Sequence, residues 1–105
     1  MAETSFDAVA GSLNSKTVAL DYSNATTIST NSYTATQKCV FYLSYRQTSA
    51  GGEIHVKINN VEIAIMDGYQ GGSCTPFPLN VGDSISITTV GSGLDIKKRV
   101  IVPML

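Results

Sequence analysis

The segment Glu53-Ile-His-Val-Lys-Ile58, Asn59-Asn60, Val61-Glu-Ile-Ala-Ile-Met66 constrains the fold most, because two alternating runs flank a two-residue turn. Such a pattern predicts a β-hairpin. A type I′ turn needs positive φ at both central residues, a backbone that Asn tolerates better than most residues. A two-residue turn sets Ile58 opposite Val61, Val56 opposite Ile63 and Ile54 opposite Ile65, which makes one face wholly apolar. The other face carries Lys57 opposite Glu62, a cross-strand ion pair, and His55 opposite Ala64. The apolar six are expected in a core or an interface, and the polar residues in water.

The remaining segments extend the β pattern. Residues 1 to about 15 lack sustained periodicity and are expected to form a flexible N-terminal arm, leaving 16–105 as a single β-sandwich domain. Lys16–Leu20 is a short strand candidate, and a brief strand is expected near Thr26–Ser29 within a Ser/Thr/Asn-rich stretch. Lys38–Arg46 is aromatic and β-branched, with apolar residues on both faces, as in a central strand covered from two sides. Cys74–Leu79 contains Pro76 and Pro78, each lacking a backbone donor, which points to a sheet edge. Asn80–Asp83 is a turn, Ser84–Val90 alternates with Ile85 and Ile87 inward, and a last strand covers about Ile96–Val102. No segment has a helical apolar spacing over about ten residues. The fold class is therefore all-β, an antiparallel β-sandwich or jelly-roll-like fold of about seven to eight short strands.

Composition narrows the partners. A net charge of −1 creates no overall field to attract nucleic acid or an anionic membrane. No apolar run approaches the roughly 20 residues of a membrane-spanning helix, so no membrane insertion is expected. The acidic, polar start is unlike a signal peptide, and synthesis in a cytoplasm with reduced thiols is expected for Cys39 and Cys74. Two cysteines without neighbouring histidines do not complete a zinc site, so no metal and no cofactor are expected.

Catalytic constellations are sparse. His55 is the only histidine and lies mid-strand on the wet face, without a nucleophile assignable to it. Asp21, Asp67, Asp83 and Asp95 all lie beside turns, where Asp caps backbone donors. Asp67–Ser73 is Gly-rich but lacks the Lys-Ser/Thr and following helix of a phosphate-binding loop. No catalytic residue is assigned, and the chain is expected not to be an enzyme. The candidate ligand contacts are Tyr33, Tyr45, Gln47, Tyr69 and Gln70, which could line a shallow polar site in loops, the tyrosines equally being core or rim residues. Lys97, Lys98 and Arg99 form a candidate anion or partner patch, or else guard an edge strand against aggregation.

A strand, an alternating strand-Asn-Asn-strand hairpin, a Gly-rich loop, Phe77-Pro-Leu-Asn-Val-Gly-Asp-Ser-Ile-Ser86 and a terminal Val-Ile-Val-Pro-Met-Leu follow in order from Lys38 to Leu105. This arrangement resembles small β-sandwich proteins of tailed-bacteriophage virions. The resemblance implies a non-enzymatic virion protein, a capsid decoration, head-fibre or tail-fibre component that contacts other virion proteins and the host. It also implies a homo-oligomer, attached to the particle through the N-terminal arm after synthesis in the host cytoplasm. The alternative is a carbohydrate-binding module that holds a host-surface glycan with loop Tyr and amide side chains.

Overall fold

In a computed structural model, the described residues are 19–48, 51–67 and 72–105. Eight strands are formed among them: β1 (Thr26–Thr27), β2 (Ser32–Thr34), β3 (Cys39–Gln47), β4 (Glu53–Ile58), β5 (Val61–Met66), β6 (Gly72–Leu79), β7 (Ser84–Val90) and β8 (Leu94–Pro103). The pairing follows one rule. First joins last, β1 with β8, and the same holds inward for β2 with β7, β3 with β6 and β4 with β5, all antiparallel. The chain is thus one long hairpin doubled back at Asn59-Asn60. Pairing of β3 with β8 and of β4 with β7 then rolls it into two sheets, β1-β8-β3-β6 and β2-β7-β4-β5. This is the order of an eight-stranded jelly roll.

The inner faces of both sheets meet in one core. Cys39, Phe41, Leu43, Tyr45, Phe77, Leu79 and Ile101 come from the first sheet, and Ile54, Val56, Ile85 and Ile87 from the second. Tyr33 of β2 bridges them, its ring 6.4 Å from that of Phe41 and tilted by 37°. Burying a side chain the size of Ile54 or Val56 stabilises the fold by about 1.5–3 kcal/mol, and both are fully buried. As its apolar faces require, β3 lies between β8 and β6, and Val40 on its outward side is buried as well. Tyr42 on that side is hydrogen-bonded to Tyr22, from a one-turn 3-10 helix at Tyr22–Asn24, and burial pushes its hydroxyl pKa up. The proline-bearing β6 is an edge strand, as its missing donors demand.

The Asn-Asn turn has the expected backbone, with φ of 53° at Asn59 and 65° at Asn60. Its register holds only for the first two rungs, Ile58 with Val61 and Lys57 with Glu62. Beyond them β5 bulges at Ile63, and Val56 faces Ala64, His55 faces Ile65 and Ile54 faces Met66. The expected apolar partners therefore change. Ala64 and Met66 pack on the core, whereas Val61, Ile63 and Ile65 are 62%, 48% and 53% exposed. The physical reason is that β5 is apolar at both parities from Ile63 onward, so one extra residue swaps faces without burying a charge.

Other boundaries shift less. Residues 16–18 of the first expected strand, and the expected arm at 1–15, lie outside the described residues, while Leu20 forms an isolated bridge with Met104. Strand β2, within the Ser/Thr/Asn-rich stretch, carries one apolar-facing residue, Tyr33, too few to show a period. Cys39 is buried and Cys74 exposed, both with free thiols. Cys74 pairs with Ser44, well along β3 from Cys39, so the two do not meet.

Candidate functional site

The solvent face of the second sheet gathers most of the polar chemistry. Because Ile85 and Ile87 point inward, Ser84 and Ser86 of β7 point outward, and register places them opposite Thr34 and Ser32 of β2. Two rungs of hydroxyls result. The Thr34 and Ser84 hydroxyls are 2.7 Å apart and share a hydrogen bond. Next to them the Asn-Asn turn folds over, leaving an open depression of about 670 Å³ lined by Ser32, Tyr33, Thr34, Asn59, Asn60, Ser84, Ile85 and Ser86.

This end of the sheet is held by a dense set of hydrogen bonds. Asn59 donates its side-chain amide to Asp83 Oδ1 at 3.0 Å and accepts from the Ser84 N–H at 3.0 Å. The Asn59 N–H donates to the Ser84 carbonyl at 2.8 Å. Asp83 also accepts from the Asn80 N–H at 2.8 Å, closing the Asn80–Asp83 turn. The Asn59 amide and the Asn80 N–H hold the Asp83 carboxyl below its usual pKa, because both bonds favour the anion. The sequence shows a turn here, but its cross-link to Asn59 joins residues 24 positions apart and leaves no local signal.

Further along the same face, His55 stands between two carboxylates. Its Nδ1 is 2.8 Å from Glu62 Oε1 and its Nε2 is 3.0 Å from Glu53 Oε1. Bonding to Glu62 first, and to Glu53 second, raises its pKa, since the imidazolium can donate to both. Lys57 lies opposite Glu62 as expected, yet the Glu62 carboxylate turns to His55. With both ring nitrogens engaged by acids, His55 is arranged as a cross-strand clasp. Among the described residues, no group of three His, Cys, Asp or Glu could hold a metal ion.

The four sheet edges are unlike one another. β1 and β2 are two and three residues long, and β6 carries two prolines, all features that blunt an edge. β5 is six residues long, has no proline and a single charge, Glu62, and its Val61, Ile63 and Ile65 face solvent. It is the unguarded edge of the described molecule.

The described candidate residues named from sequence lie in separate parts of the fold. Tyr33 is half-buried against the core and also lines the depression. Tyr45 and Gln47 lie in β3 rather than in a loop, 8% and 2% exposed, because their side chains share the inward parity of Phe41 and Leu43. Tyr69 and Gln70 lie outside the described residues. Lys97, Lys98 and Arg99 lie along β8, dispersed by a bulge: Lys97 pairs with Asp95 at 2.7 Å, and Arg99 donates from Nε to Asn31 Oδ1 at 2.8 Å. β8 lies between β1 and β3 rather than at a sheet edge, although among the described strands β1 pairs with it only at Val100 and Ile101. Among the described residues no helix is long and apolar enough to cross a membrane. No protein-family model matches the chain, and comparison with curated proteins finds no match.

Proposed function

We propose that this chain is a non-enzymatic structural component of a bacteriophage virion, an accessory surface protein of the capsid-decoration, head-fibre or tail-fibre-associated kind. The observation that carries the reading is the β5 edge. Three edges are blunted, and the fourth presents Val61, Ile63 and Ile65 beside backbone groups that no other described strand pairs, as suits a strand covered in an assembly. The jelly-roll order supports the same class, since coat proteins of viruses use it, although fold alone fixes no activity. The engagement of both His55 nitrogens by Glu53 and Glu62 supports a structural rather than catalytic histidine.

Attachment through residues 1–15 and homo-oligomerisation through β5 belong to this proposal. Electron microscopy of source particles decorated with an antibody to the chain tests location directly. Deleting residues 1–15 is expected to leave a folded domain that no longer binds particles; retained binding counts against the arm, and unlabelled particles count against the virion reading.

A further inference from the structure

We propose that the depression between β2, β7 and the Asn59-Asn60 turn binds an uncharged saccharide. Its volume of about 670 Å³ lies within the usual range of small-ligand sites, but its lining differs from theirs. Six of the eight lining residues are Ser, Thr or Asn, and none of the eight carries a charge. A lining of this kind has no cation for phosphate or nucleic acid and no apolar floor wide enough for a lipid chain. It suits a ligand whose own groups both donate and accept hydrogen bonds at close intervals, which is the chemistry of a sugar's hydroxyls.

The wall is built before the ligand arrives. The Thr34–Ser84 hydroxyl bond and the ties from Asn59 to Asp83 and to the Ser84 N–H fix one side. The Ser32 and Ser86 hydroxyls and the Asn60 carboxamide, by contrast, make no side-chain hydrogen bond among the described residues and are available to a ligand. A fixed wall with free groups lowers the ordering cost of binding. Few bonds and an open site set an affinity of order 1 mM for a single sugar unit, so repeated copies on a particle would bind far more tightly than one. This inference adds a ligand to the virion reading and is tested on the isolated chain, so either can fail alone.

The turn supplies a discriminating variant. Asn60 has φ of 65°, and Asn-Gly is the preferred type I′ pair; Asn60→Gly therefore removes the carboxamide while keeping the turn. The full chain, labelled with nitrogen-15, is titrated with neutral hexoses, N-acetylhexosamines and their disaccharides, with inorganic phosphate and a sulfated oligosaccharide as charged arms. Expected are amide shifts centred on Ser32, Thr34, Asn60, Ser84 and Ser86 with at least one neutral sugar. Asn60→Gly and Ser86→Ala are each expected to weaken that binding about three- to tenfold while the unliganded spectra stay folded. Absence of shifts with every neutral sugar at millimolar concentration overturns the proposal. So do shifts centred elsewhere, response to the charged arms alone, or unaltered affinity in both variants.

Discussion

At Gly91 the backbone has a φ of 83°, and a Cβ built there would lie 2.3 Å from the carbonyl oxygen of Gly51. Gly82 also has positive φ, 89°, but a Cβ there meets nothing within 4 Å. The two substitutions thus separate strain from collision. Gly82→Ala is expected to cost about 1–2 kcal/mol from the left-handed backbone alone, and Gly91→Ala at least about 1 kcal/mol more. Urea midpoints measure both, and equal costs would mean that the turns at Gly51 and Gly91 are not in contact. His55 adds a pH dependence. Its folded pKa is raised, so its contribution to stability is complete below its ordinary value of about 6.5 and is lost as pH rises through the folded value. The melting temperature of the natural chain should therefore exceed that of His55→Gln most below about pH 6.5, and the gap should close on the alkaline side. Asp83 works in the opposite sense: its pKa is depressed, and its contribution, present above the usual carboxylate range, disappears as pH falls through the folded value.

Strand β5 shows how far an element can be read from its residues. The turn was legible because Asn-Asn between alternating runs satisfies one backbone requirement, and Ser84–Val90 was legible because Ile85 and Ile87 share one parity and Ser84, Ser86 and Thr88 the other. The β5 register was not, because Ile63, Ala64, Ile65 and Met66 offer apolar residues to either face and local sequence carries no mark of the bulge. Gln47 reads as the start of a loop because it is polar and stands at the end of an apolar run, whereas its parity is that of Phe41, Leu43 and Tyr45, which takes it inward as the last residue of β3. The bulged register makes a sharp prediction. In the single chain, measured in the Ile63→Lys background that opens the β5 edge, Ile65→Ala should change stability by less than about 0.5 kcal/mol, as at an exposed site, while Val56→Ala should cost about 2 kcal/mol. Equal losses in chemical denaturation would restore the unbulged pairing. Replacing Ile63 and Ile65 by Lys should leave the fold intact and reduce the mass in solution to that of one chain, if β5 is the assembly edge; an unaltered oligomer by light scattering would place the contact elsewhere.

For the whole molecule, nested pairing orders the contacts by loop length. The β4–β5 pair closes over two residues, Asn59 and Asn60, while β3–β6, β2–β7 and β1–β8 enclose successively longer stretches. Loop-closure cost rises with length, so structure is expected to spread outward from the Asn-Asn turn. Destabilising changes at Ile58 or Asn59 should slow refolding, and changes at Thr26 or Ile101 should mainly speed unfolding. Stopped-flow measurements decide this, and the opposite partition would place the nucleus at the outer strands. The same nesting brings Leu20 beside Met104, with the Asp21 N–H donating to the Pro103 carbonyl at 2.8 Å and the Leu105 N–H to the Ala19 carbonyl at 2.9 Å. Tension applied between residues 19 and 105 therefore meets these bonds one after another, as in opening a zipper, and never loads them together. A tether that has to carry force through this domain does so best by gripping one end and leaving the other slack.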